Sequence, residues 1–125
     1  MRMKSPSFQK SFYRAWNGLC IAFRTERSFR VQVAMTGVVI VCLTLFPLVV
    51  WERCLLLVVT MVVLVLELVN SCVERLLDLL KPRLFAYVGE IKDLMAGAVL
   101  LASVFAAVIG AFILGPHFLH LFSRV

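Results

Sequence analysis

Charge is scarce in this chain of 125 residues. Asp, Glu, Lys and Arg together make up 16% of it, against about a quarter in soluble domains. What charge there is avoids three long stretches. Val31–Trp51 runs 21 residues without a charged side chain, Leu94–Leu114 another 21, and Cys54–Val73 runs 20 with one, Glu67. About 20 apolar residues cross the hydrocarbon of a bilayer. A soluble globular domain is thereby excluded, and an all-α integral membrane protein with three transmembrane helices is expected. Other absences narrow the reading. The four cysteines, Cys20, Cys42, Cys54 and Cys72, form no C-x-x-C pair and no metal-ligand spacing, so they read as small hydrophobes. No glycine-rich loop of the G-x-x-x-x-G-K-[ST] or G-x-G-x-x-G kind occurs, so any nucleotide site must be unorthodox. The basic N-terminus lacks both a continuous apolar core and a small-residue cleavage site, which excludes a cleaved signal. No repeat or low-complexity tract divides the chain, which reads as one domain, 1–125.

Within that domain the expected elements are an interfacial helix over 1–28 and transmembrane helices over 30–51, 54–80 and 92–114. In the first, Phe8, Phe12, Ala15, Trp16, Leu19 and Phe23 fall on one helical stripe, with Lys10, Arg14, Asn17 and Arg24 largely off it. Such a helix lies in the membrane interface. Lys and Arg set the orientation. Eleven of the thirteen lie before the first span or around the 2–3 connection, leaving Arg53 and Arg124 on the other side. The positive-inside rule places the N-terminus and the 2–3 loop in the cytoplasm and the C-terminus outside. The net charge of +6 is then a membrane-facing feature, drawn to anionic lipid, and calls for no nucleic-acid partner.

Two patterns inside the spans differ in meaning. Ala98, Ala102, Ala106 and Gly110 recur every fourth residue, with Ser103, Ala107 and Ala111 alongside, a spacing that lets membrane helices approach closely. Glu67 is another matter. A carboxylate that deep in an apolar run is a functional-site hypothesis by default. Asn70, Glu74 and Asp78 share its helical face, so a polar stripe runs from inside the membrane to its surface. His117 and His120, after Gly115-Pro116, read as interfacial residues, since no third metal ligand is near in sequence.

Glu26, Glu74, Asp78, Lys92 and Asp93 are expected at one membrane depth, on the cytoplasmic side. Hard carboxylate oxygens there suit Mg²⁺, which takes one or two carboxylates plus substrate phosphates. Lys92 and nearby arginines would hold phosphate. Glu67, deeper and drier, would accept a proton from a hydroxyl, with Asn70 hydrogen-bonded to it. A metal-nucleotide at the interface beside a base inside the membrane describes a lipid kinase.

Four blocks carry a resemblance to a known family: S-F-Y-R-A-W-N-G-L from Ser11, T-E-R-S-F-R from Thr25, E-L-V-N-S-C-V-E-R-L-L-D from Glu67 and K-D-L-M-A-G-A-V-L-L from Lys92. In this order they resemble the small prokaryotic diacylglycerol kinase and undecaprenol kinase family, over about Phe8 to Gly110. The third block, similar to E-x-x-N-[ST]-x-x-E-x-x-x-D, is the most specific. The resemblance implies a three-span kinase of the bacterial inner membrane, a homotrimer with composite sites between protomers, using ATP and Mg²⁺ on a lipid alcohol. By the same resemblance Glu67 matches the catalytic base and Glu26 and Glu74 the metal-carboxylate ligands. Arg14, Glu26, Glu74, Lys92 and Asp93 fall at nucleotide-binding positions, Asn70 at an active-site polar position, and Ser71, Asp78 and Ala96 are expected as other active-site residues. Ser28 and Gln32 depart from one branch, which has Asn and His there. Pro82-Arg83-Leu84-Phe85 replaces Pro-Glu-Tyr-His, so Arg83 would meet phosphate directly. The blocks S-F-Y-R-A and A-G-A-V-L-L resemble the undecaprenol kinase branch more closely. A small proton-coupled multidrug exporter, also short, basic and built around one intramembrane Glu, is the alternative. It would need four spans and has no use for acids clustered on one side.

Overall fold

A computed structural model describes residues 7–81, 83 and 85–125. The start of the expected interfacial segment, with Arg2 and Lys4, and Pro82 and Leu84 of the 2–3 connection lie outside them. The described residues form four helices, α1 (Phe8–Thr25), α2 (Arg27–Leu45), α3 (Val50–Leu80) and α4 (Phe85–Phe122). Three of them, α2, α3 and α4, are long and apolar enough to cross a membrane.

The helical limits depart from the apolar runs, each for a local reason. The run Val31–Trp51 does not make one helix. Pro47 disfavours helical torsions at the residue before it, and Phe46 is extended, with φ −96° and ψ 144°. α2 therefore stops at Leu45. α3 starts at Val50, where the Glu52 carboxylate accepts the Val49 N–H at 3.0 Å, half of a capping arrangement. Glu52 is thus a helix cap. α4 begins two turns before the apolar run it contains and continues through Gly115-Pro116 to Phe122. At 38 residues it is about 57 Å long at the α-helical rise, against about 30 Å of hydrocarbon. α3, with 31 residues, is about 46 Å. Both overrun the bilayer and carry polar side chains past its surface.

α3 is central, packing chiefly on α4 and also on α2, while α1 packs on α2. The tightest core sits at one end. Leu48, Leu56 and Ile113 are buried there with Val39, Leu43, Phe46, Leu55, Ile109 and Leu114 against them. Phe46 meets Phe118 edge-on at 4.8 Å and His117 at 5.8 Å between ring centroids, so His117 packs on an aromatic ring. The small residues of α4 are less tightly met. Ser103, Ala106, Ala107 and Gly110 line a cavity of about 420 Å³ between α2, α3 and α4, and a methyl group added at Gly110 would touch nothing within 4 Å. The apolar stripe of α1, including Phe12, Trp16 and Phe23, is exposed. It faces away from the other helices, as a helix lying in a membrane interface requires.

Candidate active site

The buried residues of α3 are Leu56, Val63, Glu67, Ser71 and Leu77. At about 100° per residue they occupy an arc of about 120°, and Asn70, Glu74 and Asp78 project into the same arc. The polar stripe therefore continues the face that α3 turns toward the protein, not toward lipid. Glu67 is the extreme case. Only 3% of it is exposed, and its Oε2 is buried without a protein hydrogen-bond partner. A buried, unpartnered carboxylate oxygen is expensive, and folding alone gives no reason to keep it.

Asn70 does not hydrogen-bond Glu67. Its amide Nδ2 donates to Glu74 Oε1 at 3.3 Å, one turn further along, and its Oδ1 is left buried and unpartnered. The amide is turned so that its donor meets a carboxylate and its acceptor lies idle. Two idle acceptors, Glu67 Oε2 and Asn70 Oδ1, thus sit one turn apart on α3. Acceptors cannot satisfy one another, and a hydroxyl donor would satisfy either. Ser71, also buried, is spent internally, its Oγ donating to the Glu67 carbonyl at 3.1 Å.

Further along α3 the remaining charges pair up across the fold. Lys92 Nζ lies 2.9 Å from Asp78 Oδ1, joining the start of α4 to the end of α3. Lys92 is thus held by an acid here, where the sequence suggested a phosphate contact. Glu26 is the one residue between α1 and α2, extended at φ −108° and ψ 110°. Its Oε1 is 3.2 Å from Nη2 of Arg75. Lys92 and Asp93, neighbours in sequence, look onto different depressions. Lys92 lines one of about 300 Å³ with Lys81 and Gly89, and Asp93 one of about 570 Å³ with Glu90, Leu94 and Gly97. Arg14, Arg83 and Ala96 are exposed. Among the described residues Arg14 and Arg83 take part in neither ion pair.

Sequence reasoning missed Arg75, counting it as a topology charge, and Glu90. Neither residue carried a signal in the sequence, since a basic residue at the cytoplasmic end of a span is what topology alone requires.

Among the described residues no cluster of three or more His, Cys, Asp or Glu side chains could hold a metal unaided. Glu26 and Glu74 are each engaged through Oε1. Two hard carboxylates with an oxygen to spare fit a Mg²⁺ whose other ligands come with a nucleotide.

Comparison with known proteins gives the family. Residues 13–114 match the family model for prokaryotic diacylglycerol kinase. The chain is 35% identical to a diacylglycerol kinase of Synechocystis over 118 residues, 94% of this chain and 67% of that one. It is 32% identical to an undecaprenol kinase of Bacillus subtilis, covering 87% of this chain and 89% of the relative. Against a diacylglycerol kinase of Escherichia coli the identity is 30%, over 83% and 85%. With three helices able to span a membrane and a family match over most of its length, the chain belongs to the prokaryotic diacylglycerol kinase family and is a membrane lipid kinase.

Proposed function

We propose that this protein transfers the γ-phosphoryl group of Mg·ATP to the primary hydroxyl of a long-tailed membrane lipid, diacylglycerol or undecaprenol, with Glu67 as general base. The observation that carries the reading is the Glu67 carboxylate, buried in the apolar part of α3 with Oε2 unpartnered. Only a substrate that lives in the membrane brings a hydroxyl to that depth. Phosphoryl transfer asks mainly for positioning and charge neutralisation. As the lipid oxygen bonds to phosphorus and the bond to the ADP oxygen breaks, the hydroxyl proton passes to Glu67. The idle Oδ1 of Asn70 lies beside it and would orient the hydroxyl. Glu26 and Glu74 would hold Mg²⁺, which neutralises charge on the nucleotide's phosphates. Lys92, Arg14 and Arg83 supply positive charge near the nucleotide, Lys92 on release from Asp78, while Asp93 completes that side.

The protein would lie in the bacterial inner membrane with α1, the α1–α2 corner and the α3–α4 connection on the cytoplasmic side, where ATP is. It would work as a homotrimer, the small residues of α4 meeting a neighbouring protomer. The S-F-Y-R-A and A-G-A-V-L-L blocks favour undecaprenol as substrate. Purified protein in mixed micelles, given Mg·ATP with either lipid, tests the assignment. Phosphorylation of both, with the higher kcat/KM on undecaprenol, is expected. No phosphorylated lipid from either would end the reading.

A further inference from the structure

α1 and α2 meet at a single non-helical residue, Glu26. One residue has only two soft torsions, and small changes in them swing the whole of α1. Where the Glu26 carboxylate points therefore depends on what fixes this corner. Some ties are internal. Arg30 Nη1 donates to the carbonyls of Phe23 at 3.1 Å and Arg24 at 3.0 Å, two of the unpaired carbonyls every helix C-terminus presents. Those bonds secure α1 to α2 and say nothing about α3.

The tie to α3 is Arg75. Its Nη2 donates to Thr25 Oγ1 at 2.6 Å and to Glu26 Oε1 at 3.2 Å. Thr25 gives its own hydroxyl proton to the Ile21 carbonyl at 2.8 Å, which turns a lone pair toward Arg75. Among the described residues these are the only hydrogen bonds between the corner and α3. Arg75 directly follows Glu74 on α3, about 100° round the helix from it, so the residue gripping Glu26 and the other candidate ligand stand at the same level of α3. The grip is one-sided. A guanidinium usually takes a carboxylate as a fork, engaging both oxygens. Here one nitrogen is shared between Thr25 and Glu26, which leaves Glu26 Oε2 free.

We propose that Arg75 is a positioning residue for phosphoryl transfer, holding the α1–α2 corner against α3 so that the Glu26 carboxylate is presented to Mg·ATP beside Glu74. The inference rests on Glu26 being a ligand of the metal-nucleotide. Arg75 touches neither substrate, and its effect is transmitted through Glu26. Its side chain is 51% exposed, so its removal empties no core.

The test uses the full-length protein in mixed micelles, with Arg75→Ala, Arg75→Lys, Glu26→Gln and the double variant Arg75→Ala/Glu26→Gln. Arg75→Ala should raise the KM for Mg·ATP up to about five-fold, the upper end for a half-exposed ion pair, leaving kcat and the lipid KM unchanged. Arg75→Lys keeps the charge without the shared geometry and should restore part of the affinity. In the Glu26→Gln background, removing Arg75 should have no further effect. An additive loss there would show that Arg75 acts on the nucleotide by itself and overturn the proposal. So would a fall in kcat and Tm with the KM for Mg·ATP unmoved. A wild-type KM in Glu26→Gln would remove the ligand assignment itself. A defective Glu26→Gln beside a wild-type Arg75→Ala would remove only the role of Arg75.

Discussion

Glu67 and Glu74 stand two turns apart on one helix, and the protein treats them differently. Glu67 is buried with an oxygen unpartnered, whereas Glu74 is half-buried and holds an amide. That difference suits a base in one case and a metal ligand in the other. Replacing Glu26 or Glu74 by Gln should therefore raise the KM for Mg·ATP and the Mg²⁺ needed for half-maximal rate, with the fold kept. Steady-state kinetics at varied Mg·ATP checks it, and wild-type values in both variants would remove them as ligands. Asp78 and Lys92 make a second residue-scale case. If Lys92 must leave Asp78 to meet phosphate, Asp78→Asn frees it and should lower the KM for Mg·ATP, while Lys92→Ala should raise it. A raised KM in Asp78→Asn would mean that the pair itself is the working arrangement. Much of this site could be read from the chain. Glu67, Asn70, Glu74 and Asp78 share a helical face because the period of a helix is fixed. Which carboxylate Asn70 chooses could not be read, because side-chain torsions on one face serve either neighbour. Nor could the Arg75–Glu26 pair, since 49 residues separate its members and only the packing of α3 on the corner brings them together.

Among the elements, α2, α3 and α4 are plain from hydropathy and α1 from its amphipathic stripe, whereas their ends are not. α3 takes its first two residues, Val50 and Trp51, from the apolar run that holds most of α2, and the break between the helices rests on Pro47 and on the Glu52 cap. These are local backbone effects that a hydropathy window averages away. α4 overruns its apolar run at both ends, because helix formation continues where hydrophobicity stops. The small-residue row of α4 is open at Gly110 within the single chain, which leaves room for the neighbouring protomer proposed above. Ala102→Leu should then weaken the oligomer, read by cross-linking in detergent, without shifting the KM for Mg·ATP. An unchanged cross-linking pattern would mean that the row faces lipid. Leu56, 2% exposed at the opposite end from the site, gives the complementary test. Leu56→Ala should lower the Tm by removing packing and leave nucleotide affinity alone.

At the scale of the molecule, the fold divides its labour along the membrane normal. The tight apolar core of Leu48, Leu56 and Ile113 lies toward one face. The ion pairs Arg75–Glu26 and Lys92–Asp78 lie toward the other, with Glu67 between. ATP is water-soluble and a lipid alcohol is not, so an enzyme joining them needs its metal-nucleotide groups at the surface and its base below. Reporter fusions at the C-terminus should score outside, and an inside score would reverse the orientation. On this reading the carboxylate inside the membrane accepts the lipid's proton. Turnover and Mg·ATP affinity measured on the same Glu67→Gln preparation test it most directly. The substitution is nearly isosteric and removes the proton acceptor without touching a metal ligand. Turnover should fall on the order of 10²–10⁴-fold while the affinity for Mg·ATP stays at the wild-type value. Near-normal turnover, or a loss of nucleotide affinity that accounts for the whole defect, would contradict it.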